Sequence, residues 1–114
     1  MARYKGLTLR VQGKGAPAMG PGKAELIERI AETGSISAAA RAMGMSYRRA
    51  WQLVEALNKD YREPVVATAI GGTRGGGASV TPFGMRLVRL FRAMEDKASA
   101  AIAGDLRRLT RYIS

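Results

Sequence analysis

Apolar residues recur at two periods along this chain, and the switches between them mark its elements. Leu7-Thr-Leu-Arg-Val11 alternates apolar and polar, which predicts a short strand with one wet face. The stretch 12–22 holds Gly13, Gly15, Pro17, Gly20, Pro21 and Gly22 and reads as a loop. From position 21 or 22 to 33, Leu26, Ile27, Ile30 and Ala31 fall on one helical stripe, with Pro21 suited to the first turn and Gly34 to the stop. A second helix, near 36–43, can be capped by Ser35 or by Ser37.

A third helix starts after a Ser46 N-cap and continues to about residue 60. At about 100° per residue, Tyr47, Ala50, Leu53, Val54, Leu57 and Tyr61 share one buried face. Arg48, Gln52 and Glu55 lie opposite, with Arg49 and Ala56 on one flank. Trp51 lies on the other flank and is expected to pack at the edge of the core. Pro64 ends this region, and 65–70 and 78–80 read as strands of a β-hairpin around Gly71-Gly-Thr-Arg-Gly-Gly-Gly77. Thr81 as N-cap and Pro82 in the first turn then open a last helix running to about residue 113. Its apolar stripe includes Leu87, Leu90, Phe91, Met94, Ile102, Leu106, Leu109 and Ile113; Gly84 and Gly104 each weaken it by about 1 kcal/mol relative to alanine.

The second and third helices carry the most information. Ala38, Ala39 and Ala40 are small where two helices must touch, and larger side chains would push them apart. Gly44 follows Ala40 by one turn, where the chain must bend with positive φ, and Ala50 and Leu53 lie where the next helix packs back. This pattern is that of a helix-turn-helix, and a hairpin behind such a unit is a wing. The expected fold is mainly α with a small β-wing: a winged helix-turn-helix with a long C-terminal dimerisation helix. Residues 1–81 would form the DNA-binding unit, with the helix-turn-helix at about 35–60 and the wing at about 64–81. Residues 82–114 would add the C-terminal helix as part of the same domain.

Composition narrows the function. The 114 residues suffice for one domain, and 46% hydrophobic residues argue against disorder. The formal net charge of +10 favours a polyanionic partner, nucleic acid before an anionic membrane. There is no Cys, hence neither a disulfide framework nor a thiolate metal site, and no His, hence neither the commonest general base nor the commonest metal ligand. The expectation is a non-enzymatic protein without cofactor or metal. No apolar run approaches the roughly 20 residues of a membrane span, and the N-terminus lacks the apolar core of a secretory signal. A cytoplasmic, nucleoid-associated location follows as the default.

Double-stranded DNA is the leading ligand. Ser46, Tyr47, Arg48, Arg49 and Gln52 occupy the first two turns of the third helix, the end that meets base edges when such a helix enters the major groove. Arg48 can bond guanine and Gln52 adenine, each in bidentate fashion, while Arg49 and Ser46 suit phosphate. Tyr47 fits either the core or a phosphate. Ser35 at the start of the second helix, and Thr73 and Arg74 at the wing tip, complete the candidate contacts. The glycine tip is no P-loop, because no Lys follows the glycines and a strand comes next. The long last helix carries more apolar stripe than a compact winged domain covers, so pairing with its twin in a homodimer is expected. Glu95, Asp96 and Asp105 interrupt its basic face and weaken a membrane-surface reading. A winged-helix adaptor or anti-repressor bound to an acidic protein, and a small oxyanion binder, are the alternatives.

Gly34-Ser-Ile-Ser-Ala-Ala-Ala, Gly44-Met-Ser-Tyr-Arg-Arg-Ala-Trp51, Gly71-Gly-Thr-Arg-Gly-Gly-Gly-Ala78 and Thr81-Pro-Phe-Gly-Met-Arg-Leu87 together resemble the N-terminal DNA-binding domain of the ModE family of molybdate-responsive transcriptional regulators. The resemblance spans roughly residues 7–100. A more distant likeness, to the winged helix of LysR-type regulators, shares the Gly-Ser-x-x-x-Ala-Ala start. The ModE resemblance implies a dimer, a palindromic operator and a link to molybdate metabolism. The family's sensor is a pair of small β-barrel oxyanion modules that follow the DNA-binding domain. These 114 residues contain none of it, so no molybdate-binding residue carries over, and the chain is expected to be either a short, sensor-less member or a fragment.

Overall fold

Two glycines steer the chain around its core. The computed structural model describes residues 6–69 and 77–114. Helix α1, Pro21–Thr33, ends at Gly34, whose φ of 69° is left-handed and whose N–H donates to the Ile30 carbonyl. Helix α2, Ile36–Ala42, follows at once, capped by Ser35, which decides between the two candidate serines: its hydroxyl accepts the Ala38 N–H at 3.0 Å. At Gly44 φ is 67°, and the Gly44 and Met45 N–H groups fold back onto the Arg41 and Ala40 carbonyls. This turn delivers the chain to helix α3, Tyr47–Asp60, capped by Ser46 through the Arg49 N–H.

Ala24, Leu26, Ile27 and Ile30 of α1 meet Ile36, Ala39 and Ala40 of α2 and Ala50, Val54 and Leu57 of α3, all buried. The small side chains of Ala39, Ala40 and Ala50 let the helix axes approach closely. Val65, Val66, Val88 and Phe91 close the cluster from the wing and the last helix.

The wing is an antiparallel hairpin of two strands, Val66–Ala69 and Gly77–Val80, with Val66 opposite Val80 and Ala69 opposite Gly77. Helix α4, Pro82–Thr110, follows, with Thr81 accepting the Gly84 N–H. A helix of this length is about 44 Å long, and it draws the molecule out to 55 × 28 × 24 Å. The expected fold class holds: mainly α, a winged helix-turn-helix with a long C-terminal helix.

Three sequence expectations are corrected. Residues 7–10 form no strand; instead Val11–Gln12 pairs antiparallel with Pro17–Met19, inside the stretch expected to be loop. Gly13 and Gly15 belong to the tight turn, closed by the Gly13 N–H on the Ala16 carbonyl, and Pro17 is tolerated because a two-stranded ribbon is all edge. Met19 of this ribbon lids the core. Helix α4 ends at Thr110 rather than near 113, in a turn in which Tyr112 and Ile113 donate to Leu109 and Thr110. Tyr47 does not share the buried face of α3 but is exposed, because as the first helical residue it lies at the rim of the face that Ala50 and Leu57 centre on.

Glu28, Arg92 and Glu95 form an ion cluster that ties α1 to α4. Arg92 donates to Glu28 at 2.7 Å and to Glu95 at 2.8 Å. The Glu28 hydrogen bond raises the guanidinium pKa most, against burial, so Arg92 stays charged. On the opposite side, the Tyr61 hydroxyl donates to the Ala18 carbonyl and its ring meets Phe83 edge-on. Burial, helped by Asp60, holds that phenol above its ordinary pKa.

Candidate nucleic-acid interface

Helix α3 buries Ala50, Val54 and Leu57 and turns its first two turns outward. Ser46, Tyr47, Arg48, Arg49, Trp51 and Gln52 are all exposed there. The Ser46 oxygen is engaged as a cap, which leaves its O–H free to donate to a phosphate; the same holds for Ser35 at the start of α2. Arg41, on the last turn of α2, is exposed as well. Among the described residues no carboxylate pairs with Arg41, Arg48 or Arg49. Five of the acids are paired elsewhere: Glu25 with Arg29, Glu63 with Arg62, Asp105 with Arg108, and Glu28 and Glu95 with Arg92. Although Glu55 is exposed two turns on from Arg48, three cations without an ion-pair partner among the described residues stand around the outward turns of α3. That is the footprint of a polyanion site.

The wing is set against this surface by three polar anchors. The Asn58 side chain accepts the Val65 and Val66 N–H groups at 2.8 and 3.0 Å and donates to the Val66 carbonyl at 3.0 Å. The Ala78 N–H donates to the Gly34 carbonyl at 2.9 Å, joining the second strand to the turn before α2. The Thr81 hydroxyl donates to the Pro64 carbonyl while its oxygen caps α4. Asn58 went unnoticed in the sequence because its partners are backbone groups seven and eight residues on. The available signal was a poor helix former kept inside α3, directly before the wing.

Asn58→Ala is expected to orphan two backbone donors and lower stability by about 1–3 kcal/mol. Asn58→Asp, which keeps both accepted bonds and loses the donated one, should fall between the two in a thermal melt. A melt in which alanine costs no more than aspartate would contradict the anchor.

Thr73 and Arg74, the wing-tip candidates, lie outside the described residues. Trp51, expected at the edge of the core, is 37% exposed. The structure thus brings Ser46, Tyr47, Arg48, Arg49 and Gln52 together on the first two turns of α3, and sets Ser35 apart at the head of α2. Arg41 is the cation that the sequence reading passed over, since it sits on the helix that was read only for its small residues. Among the described residues no group of three or more His, Cys, Asp or Glu could hold a metal, and no helix is long and apolar enough to cross a membrane.

Comparison with known proteins agrees with this geometry. The family model described as bacterial regulatory helix-turn-helix protein, lysR family, matches residues 22–85, from the start of α1 to the first turn of α4. The molybdenum-pterin-binding protein MopB of Rhodobacter capsulatus is 48% identical over 77 residues, which are 68% of this chain and 28% of the relative. The DNA-binding transcriptional dual regulator ModE of Escherichia coli is 39% identical over 102 residues, 87% of this chain and 38% of the relative. This chain thus spans about a third of the length of the curated relatives it matches. Among solved structures, full-length LysG of Corynebacterium glutamicum, a LysR-type regulator with bound arginine, superposes with a TM-score of 0.56 at 26% identity, covering 82% of this chain and 30% of LysG.

Proposed function

We infer the task of this molecule from the premise that the chain belongs to the lysR family of bacterial regulatory helix-turn-helix proteins. It is a sequence-specific DNA-binding transcriptional regulator, not an enzyme, linked to molybdenum metabolism through its likeness to MopB and ModE. It acts on the bacterial chromosome in the cytoplasm. Helix α3 enters the major groove, Arg48 and Gln52 reach base edges, and Arg49, Ser46 and Ser35 meet phosphates. Arg74 and Thr73 of the wing bind the flanking backbone. No residue of this chain is assigned to an oxyanion.

The single observation that carries this reading is the cluster of Arg41, Arg48 and Arg49, exposed and without an ion-pair partner among the described residues, around the outward turns of α3. Homodimerisation follows from α4, where Leu90 and Leu109 are each 62% exposed and Met94 is exposed with them. Such a stripe on a long helix is costly in water and self-complementary about a two-fold axis. Two α3 helices would then meet successive major grooves about 34–36 Å apart.

Selection of bound sites from a pool of random duplexes tests class and symmetry together. An inverted repeat with half-sites about one helical turn apart is expected; a pool that stays random at low salt would refute the regulator reading. On the selected site, Arg48→Ala should cost about 1–3 kcal/mol and relax preference at a single base pair. Titration of single-base variants of the site checks this, and an unchanged preference would assign Arg48 to phosphate or solvent.

A further inference from the structure

Tyr47 and Trp51 stand one turn apart on α3, and both are exposed, Tyr47 by 56% and Trp51 by 37%. On the same helix Ala50, Val54 and Leu57 are at most 2% exposed, and Leu53 is half-buried. Neither ring hydroxyl nor indole N–H has a partner among the described residues. Around the helix, Trp51 falls between Tyr47 and Arg48, with Gln52 beyond, so two aromatic rings border the groups that reach for base edges. Resting on the regulator reading above, we propose that Trp51, flanked by Tyr47, packs on the C5-methyl group of a thymine next to the bases met by Arg48 and Gln52.

The charge around the rings selects this occupant. A second copy docked there would bring Arg41, Arg48 and Arg49 against their own twins with Glu55, one turn beyond Trp51, as the acid to offset them, whereas the major groove offers phosphates to the arginines and apolar methyls to the rings. Thymine is the one base whose groove edge carries such a group. The ledge therefore contributes specificity by contact area where Arg48 and Gln52 contribute it by hydrogen bonds.

The test replaces thymine by deoxyuridine, one position at a time, in the site obtained by selection. This removes the methyl and keeps pairing and every hydrogen-bonding edge. One position in each half-site is expected to weaken binding about four-fold, and Trp51→Ala should abolish that dependence while keeping the preference attached to Arg48. Because Trp51 is the one tryptophan of the chain, its fluorescence should also change less with the uracil site than with the thymine site. Indifference of the wild-type protein to every uracil overturns the ledge while leaving the regulator reading intact. Full thymine dependence in Trp51→Ala overturns it too, and a shift in oligomeric state with that variant would assign the rings to a contact between copies. An empty selection removes the regulator reading and this proposal with it. Trp51→Gln, which keeps a polar surface at the same place, repeats the measurement if the alanine variant folds poorly.

Discussion

Gly84→Ala should lower the melting temperature by on the order of 10 °C, although alanine is the better helix former. A Cβ at this position would lie 2.5 Å from the Val65 carbonyl oxygen and 2.8 Å from a Val80 methyl. The first of these is backbone, and it also accepts the Thr81 N–H at 3.0 Å, so it cannot swing aside without opening the wing root. The cost of forcing the two apart is about 2–3 kcal/mol. The same substitution at Gly104, near the other end of α4, meets nothing closer than an Arg107 nitrogen at 3.9 Å. There alanine should stabilise by about 0.5–1 kcal/mol, by restricting the unfolded chain and favouring helix. Parallel melts of the two variants read the contrast directly. Equal shifts would mean that α4 does not need a bare Cα against Val65. Since Val65 directly precedes the wing and Val80 ends it, Gly84→Ala should also weaken DNA binding evenly across sequences.

Arg92→Met is expected to cost about 3 kcal/mol. Methionine replaces the stem of the side chain but takes away the cation to which Glu28 and Glu95 both bond. Glu95 is 3% exposed, and a carboxylate there loses more from a missing cation than water can return. The pairing spans α1 and α4, so the loss should appear as looser docking of the long helix on the reading head. Adding Glu95→Gln to Arg92→Met should recover a substantial part of the loss, since a neutral amide tolerates burial better than a carboxylate. A double-mutant cycle by chemical denaturation measures this, and strict additivity of the two changes would speak against the coupling.

Much of the fold was legible in the residues. The helix boundaries follow from local signals: Pro21 and Gly34 around α1, Ser46 before α3, Thr81-Pro82 before α4, each acting within one turn of the chain. The apolar stripe of α3 located its buried face except at Tyr47, the first helical residue, at the rim of that face. The Pro17–Met19 strand was missed because Gly and Pro mark turns wherever they stand, and here a turn and an edge strand share them. Of the candidate contacts, the outward cluster on α3 could be read from periodicity, whereas its freedom from acidic partners could not.

Sequence alone determined the order of the helices and the wing, the helix-turn-helix and the sign of the charge, because caps, periodicity and composition act over a few residues. Tertiary structure alone decided that Asn58 grips the wing, that Gly84 admits the Val65 carbonyl, that Arg92 joins α1 to α4, and that Trp51 faces outward. Each of these depends on which groups lie across from one another after folding, and spacing along the chain carries no record of that.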